Sequence, residues 1–325
     1  MHFRLLCAVA ALVAAFACAA AMAQTPNYPV KPVRLVIPFP PGGAVDALAR
    51  AMANDIGKLW GQPVIVDGRP GAGAVTSAVA VAHSAPDGYT IYMTDSTPIA
   101  ITPFLQRDLP YDPVKDFAPV IVAVRSSSVL VVSSSYPVNT LTEFIAAAKA
   151  KPGAVNFGSW GIASTAHLDT EEFAAAAGLN LTHVPFKGAA DMFRSLMSGE
   201  IQTAFISLGA AGPLVKQGRL KALAYAAPKR AALLPDVPTT AEAGFPFETR
   251  GWLGWIAPAA TPRAVINRIA ADAGQVIAVP AFREKYIEGV GFEVSGLTGE
   301  PFARLIEESR ATTGALIRRL KLQAN

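Results

Sequence analysis

The chain of 325 residues carries 28 Lys and Arg against 24 Asp and Glu, a net charge of +4, with 52% hydrophobic and 16% charged residues. No basic block interleaved with aromatic residues is present, which excludes an electrostatic nucleic-acid binder. His83, His167 and His183 stand far apart with no third ligand at metal spacing, and no metal or cofactor is expected.

The first element is a leader. Arg4, an apolar run from Leu5 to Ala21 and the closing Ala21-Met22-Ala23 form the pattern of a cleaved signal peptide over residues 1–23. The following "QTPNYPVKP" has no basic stop-transfer cluster, so cleavage is expected rather than anchoring, and "AAFA" before Cys18 lacks the aliphatic residue of a lipid-attachment site. Both cysteines, Cys7 and Cys18, lie in that leader, and an exported chain without disulfides relies on its core. The remaining length of about 300 residues suffices for two lobes.

Beyond the leader, short β-rich apolar runs alternate with helical patterns, the signature of an α/β architecture. Strands are predicted at 33–39, 63–67, 89–94, 119–124, 128–133, 154–158, 181–186, 202–207 and 220–226. Val45, Leu48, Met52, Ile56 and Leu59 recur at helical spacing. In "TLTEFIAAAKAKPG", Thr140 and Glu143 form a capping-box pattern and Pro152-Gly153 stops the helix. Two more helices are predicted, at 262–289 and 299–320, the second placing Phe302, Leu305, Ile306, Leu316 and Leu320 toward a core.

The stretch "RLVIPFPPGGAVDALAR" (34–50) carries the first functional signal. Pro38, Pro40 and Pro41 have no N–H, so the first free donors belong to Gly42, Gly43, Ala44 and Val45, at a helix N-terminus that favours anions. The pattern Pro38-Phe39…Gly43…Asp46 is echoed by Pro185-Phe186…Gly188…Asp191, which suggests two lobes of similar design facing one cleft. The chain crosses between lobes near "AVRSSSVLVV" and returns near "LKALAYAAPKR", giving lobe 1 as 24–124 plus 226–325 and lobe 2 as 125–225.

Loops at 38–46, 68–77, 158–168 and 185–191 feed helix starts, and "TDSTP" (94–98) follows a strand. In open α/β sheets ligands sit where such loops converge. Glycines and hydroxyl caps also serve helix geometry alone, and the two readings stand side by side for each loop. Asp46 either satisfies its own helix start or touches a ligand. Asp95 either forms a turn or accepts from an amine or amide. Lys187 pairs with an anion or with a surface acid, and Trp160 forms a cleft wall or part of a core. Catalytic patterns fail: "NFGSWG" does not meet G-x-S-x-G, and "DGRP" separates "GAGAVTSA" from the strand a dinucleotide loop requires.

Taken in order, "YPVKPVRLVIPFPPGG", Asp46 and Arg50, "GRPGAGA", "APDGYT", "LPYDPVKDFAPV", "HLDTEEF", "HVPFKGAADMFRSLMSGEIQTAF" and "VPTTAEAGFP" resemble the Bug receptors, the extracytoplasmic solute-binding proteins of tripartite tricarboxylate transporters. The resemblance covers essentially the whole chain after the leader. It implies a two-lobed periplasmic-binding-protein fold of the Venus-flytrap type II class, closing over one small organic acid and delivering it to a membrane permease. It further implies a periplasmic, non-enzymatic monomer. Gly42 and Gly43 would be donors in one lobe, and Ser164 and Thr165 in the other. The full candidate set is Phe39, Gly42, Gly43, Asp46, Asp95, Ser96, Thr97, Ser159, Ser164, Thr165, Phe186, Lys187, Gly188 and Ser207. The chain departs from the family pattern at Ala74, at Asp67-Gly68 and in "YMTDSTP", where an acid enters an anion site. A ligand with a carboxylate at one end and an amino or amide group near Asp95 is expected. The alternatives are a sensor presenting its ligand to a membrane kinase and an exported hydrolase of small esters or amides.

Overall fold

The computed structural model describes residues 28–249 and 251–322. The expected leader over residues 1–23, with both cysteines, therefore lies outside the described residues. The chain opens with β1 (Val33–Ile37), whose Val33, Leu35, Val36 and Ile37 are all fully buried, as a strand covered on both faces requires. It continues through α1 (Ala44–Trp60), β2 (Val64–Gly68), α2 (Val75–Ala82) and β3 (Thr90–Thr94). A π-helical turn at Thr97–Ile101 runs into α3 (Thr102–Leu105), and β4 (Phe117–Ser126) follows. The second half of the alternation is β5 (Ser128–Ser133), α4 (Leu141–Ala150), β6 (Asn156–Ser159), α5 (Thr165–Ala177), β7 (Thr182–Pro185), α6 (Ala189–Ser198), β8 (Thr203–Ser207), α7 (Leu208–Lys216) and β9 (Leu220–Tyr225). The chain closes with β10 (Gly251–Pro258), α8 (Arg263–Ala278), α9 (Pro280–Tyr286), β11 (Glu293–Thr298) and α10 (Gly299–Arg319).

Two sheets result. The first has the order β11-β4-β10-β3-β1-β2, with β1 parallel to β2 and β3, and β10 antiparallel to both neighbours. The second has the order β7-β6-β8-β5-β9, with β6 parallel to β7 and β8, and β5 antiparallel to both neighbours. Only Ser127 separates β4 from β5, so the chain passes between sheets in one residue. The return comes later than 226. Tyr225 bridges Thr239, Phe247 sits 5.6 Å from Phe173, and Thr249 Oγ1 accepts from Ser128 N at 2.8 Å. These contacts bind residues 226–249 to the second sheet, and the chain rejoins the first sheet at β10.

Each of the nine expected strand segments overlaps a strand. Thr140 Oγ1 accepts from Glu143 N at 3.1 Å while the Glu143 carboxylate accepts from Asn139 N at 2.7 Å, which closes the N-terminus of α4. The helix expected over 262–289 is broken at Val279, because Pro280 cannot donate and holds Val279 extended at ψ 123°.

Candidate functional site

The loops at the ends of both sheets enclose a cavity of about 380 Å3. From the first sheet come Phe39, Pro40, Gly43, Ala44, Val45 and Asp46 at the start of α1, then Asp95 and Ser96 after β3. Gly251, Trp252 and Leu253 of β10 and Phe292 complete that wall. The second sheet contributes Trp160, Ser207 and one face of α5. Ser126 and Ser128 flank the crossing between the sheets.

Two helices face the cavity with the same spacing. Thr165, Leu168, Asp169 and Glu172 line it from α5, and Ser309, Thr312, Thr313 and Leu316 line it from α10. Each set follows i, i+3, i+4, i+7, a single helical stripe. Beside the cavity, Leu168 packs with Ile101, Ala163, Leu316 and Ile317 in an apolar cluster built from both halves of the molecule.

The start of α1 explains the prolines and glycines. Gly42 adopts φ +92°, a left-handed conformation that suits glycine, and Gly43 is an extended N-cap with no side-chain cap. Asp46 Oδ2 accepts from Gly42 N at 3.0 Å and from Arg50 Nε at 3.0 Å, and Arg50 also pairs with Oδ1 at 3.0 Å. Asp46 thus caps its own helix start and occupies the Gly42 donor. The Arg50 bond, reinforced by Gly42, holds its carboxyl below the usual range against the opposing effect of burial. The N–H groups of the first turn beyond it have no intrahelical acceptor, as in any helix.

Asp95 has both features the sequence left open. Its Oδ1 accepts from Thr97 N at 2.8 Å, the geometry of a turn, while the residue also lines the cavity. Burial pushes its pKa up, opposed by the Thr97 bonds. Asp169 accepts from Ser128 Oγ at 2.6 Å, and burial raises it to about 7, with Ser128 opposing and Glu172 adding to the rise.

Of the expected residues, Phe39, Gly43, Asp46, Asp95, Ser96, Thr165 and Ser207 line the cavity. Ser207 is the N-cap of α7 without a side-chain cap bond. The others lie off the lining. Ser159 is fully buried, donating to Gly161 O at 2.8 Å and bonded to His183 Nε2 at 2.7 Å. Ser164 caps α5, accepting from His167 N at 3.5 Å. Thr97 enters the π-turn, Phe186 packs into the core of the second sheet, Gly188 caps α6 at φ +149°, and Lys187 is exposed. Asp169, Glu172 and the hydroxyls of α10 line the cavity as well, and the stripe in "TAHLDTEE" is the sequence signal that carries the first two.

Among the described residues no group of three or more His, Cys, Asp or Glu could hold a metal ion, and no helix is long and apolar enough to cross a membrane.

Comparison with known proteins gives the geometry its context. Residues 48–322 match the model of the tripartite tricarboxylate transporter family receptor. The chain is 35% identical to Protein BugT of Bordetella pertussis over 268 residues, 82% of each chain. The R. palustris protein Rpa4515, solved with adipate, superposes with a TM-score of 0.78 at 32% identity, covering 91% of this chain and 99% of that one. MatC from Rhodopseudomonas palustris, solved with bound malate, gives 0.72 at 28% identity, covering 89% and 100%. The two-sheet architecture is that of the two-lobed periplasmic binding proteins, and the chain belongs to the tripartite tricarboxylate transporter receptor family of solute-binding, non-enzymatic proteins.

Proposed function

We propose that this protein captures a small organic acid in the cavity between its two sheets and delivers it to the membrane permease of a tripartite transporter. The observation that carries this reading is the convergence of the starts of α1, α5 and α7 on one cavity, through Gly43 to Val45, Thr165 and Ser207. Unpaired N–H groups at helix starts hold a carboxylate without a formal positive charge. The adipate and malate of the two solved relatives are acids of this size.

The mechanism follows from the position of the cavity. A ligand that touches both sheets binds the closed arrangement better than the open one, and only such a difference moves the equilibrium between them. The permease would read the closed form, and the leader of residues 1–23 would place the protein in the periplasm. The two lobes, in this reading, are the units built on the two sheets, acting as a monomer.

The test is a thermal-shift screen on ligand-free protein, unfolded and refolded to remove any bound solute, against mono-, di- and tricarboxylates, amino acids and aromatic acids. A rise in Tm with one class supports the receptor reading, because a ligand that binds only the folded state stabilises it by mass action. A refolded sample unmoved by the whole panel would overturn it.

A further inference from the structure

Trp160 and Thr165 line the cavity, and the residues between them, Gly161 to Ser164, form the turn that starts α5. That turn holds an unfavourable backbone. Ala163 sits at φ +59°, in the left-handed region that a residue with a Cβ seldom occupies. It is buried in the apolar cluster with Ile101, Leu168 and Leu316, all three of which line the cavity. Leu168 comes from the second sheet's side, Ile101 and Leu316 from the first's, so the strained residue sits where the two walls meet.

A side chain holds Ala163 in place: its N–H donates to His167 Nδ1 at 3.0 Å. An imidazole nitrogen that accepts carries no proton, so neutral His167 keeps its proton on Nε2, which faces Glu171 Oε1 at 3.9 Å. Burial lowers the pKa of His167 to about 4, and Nδ1 is therefore a bare acceptor at neutral pH. The ring is stacked on His183 with the planes 9° apart. His183 Nε2 in turn bonds Ser159 Oγ at 2.7 Å, and Ser159 bonds the N–H and the carbonyl of Gly161 at 3.2 and 2.8 Å. Each ring of the pair thus fixes one part of the turn.

Resting on the receptor reading above, we infer that His167 is a positioning residue for ligand capture, holding through the Ala163 N–H the turn that presents Trp160, Thr165 and the start of α5 to the bound acid. His167 is not among the lining residues and acts through the backbone it holds. Without that acceptor, Ala163 relaxes toward an ordinary φ. The relaxation turns Thr165 and the first N–H groups of α5 away from the cavity, and draws Ala163 out of the cluster where the walls meet.

The experiment compares two variants that both remove the imidazole and its stack. His167→Asn places an amide oxygen at about the position of Nδ1 and keeps an acceptor; His167→Leu has the same branched shape as asparagine and no acceptor. Refolded, ligand-free protein is titrated calorimetrically with succinate, malate, adipate, citrate, glutamate and benzoate, and the acid bound most tightly by wild type is carried to both variants. The expected affinity is within about threefold of wild type for H167N and about tenfold or more below it for H167L. H167L binding as wild type does, or H167N losing as much as H167L, would overturn the inference while leaving the receptor reading intact. Should H167L not fold, hydrogen exchange on wild type decides. The Ala163 amide is expected to exchange about tenfold or more slowly once that acid is bound, and an amide unmoved by the acid overturns the inference. Binding of none of these acids by wild type would overturn the receptor reading and the inference with it.

Discussion

The backbone N–H of Gly42 donates to Asp46 Oδ2 at 3.0 Å, so the loop that opens toward the cavity is tied to the helix it precedes. Asp46 is 5% exposed, and the same oxygen accepts from Arg50 Nε. Asp46→Ala removes both bonds and leaves the Gly42 donor without its partner. A loss of roughly 1–3 kcal/mol is expected, with a smaller loss for Asp46→Asn, which retains an acceptor. Because the Asp46 pKa is lowered in the folded state, its contribution is complete above the ordinary aspartate range and is lost as pH falls through the depressed value. Urea unfolding of D46A and wild type at neutral pH measures the difference, and equal midpoints would refute the capping role.

The other end of α1 is fixed by a second aspartate. Trp60 Nε1 donates to Asp272 Oδ2 at 2.5 Å, and Arg268 Nε donates to the same atom at 2.6 Å, which joins the last turn of α1 to α8. Asp272 is 8% exposed, as is Trp60, so Asp272→Ala strands an indole N–H in the core at a cost of roughly 1–3 kcal/mol. The two aspartate sites lie about 20 Å apart along the helix, at 1.5 Å per residue. Their effects are expected to add in the double variant to within about 0.5 kcal/mol. A double variant no less stable than either single one would show that α1 is not held independently at its two ends.

Much of this fold is legible in the sequence, because strands such as "VRLVI" and "SVLVVS" are compact apolar runs and α1 has a clear apolar stripe. β10 is missed because "GWLGWIAP" is buried on nearly all sides, so it shows no alternation, and its glycines read as loop. β11 is missed for the opposite reason: Leu297 and the flanking Gly296 and Thr298 are exposed at an edge, and the strand has no apolar signature. At the site, Gly43 and Thr165 are legible as helix starts, but Ser159 resembles a site hydroxyl in sequence and is consumed by Gly161 and His183. The stripes of α5 and α10 are each visible, and their meeting across one cavity is a tertiary fact that no local pattern carries.

His167 and His183 stack with ring centroids 3.7 Å apart beneath the 159–165 loop, beside Phe157. Burial lowers both to about 4, from an ordinary 6.5, with His183 adding to the effect on His167. The unfolded chain therefore takes up two protons below about pH 6.5 that the folded protein refuses until about pH 4. Stability is expected to fall across that window. Asp169, raised to about 7, acts with the opposite sign, since the folded state holds its proton where the unfolded state has released it. One of the two histidine protons is thus offset, Asp95 and Glu171, also raised by burial, oppose part of the rest, and each histidine taken alone contributes a slope of about 1.4 kcal/mol per pH unit. Chemical denaturation between pH 7 and pH 4.5 tests the sign. His183→Gln retains a partner for Ser159 but does not titrate, and is expected to flatten the slope. An unchanged slope in H183Q would assign the acid sensitivity elsewhere.

The sharpest constraint on how the two sheets face each other is a backbone contact. A Cβ on Gly209, the second residue of α7, would lie 2.3 Å from Val290 O, and one on Gly291 would lie 2.6 Å from Gly209 N. Nearby, Tyr225 of the second sheet donates through its hydroxyl to Glu293 Oε1 of the first at 2.7 Å. Gly209→Ala suits the helix itself, since alanine is the better helix former by about 1 kcal/mol. Its methyl group must nonetheless push the Val290 carbonyl away, and with it the turn that leads into β11. Each sheet is expected to fold normally, with far-ultraviolet circular dichroism unchanged, while the arrangement that brings Ser207 and Asp46 to one cavity is displaced. The affinity for the best ligand of the thermal-shift panel is expected to fall tenfold or more. Tyr225→Phe removes one hydrogen bond without adding volume, so its affinity is expected to fall less than that of G209A, while its stability falls by roughly 1.5–3 kcal/mol. If G209A bound ligand as wild type does, the backbone contact would not be what sets the spacing of the two sheets around the cavity.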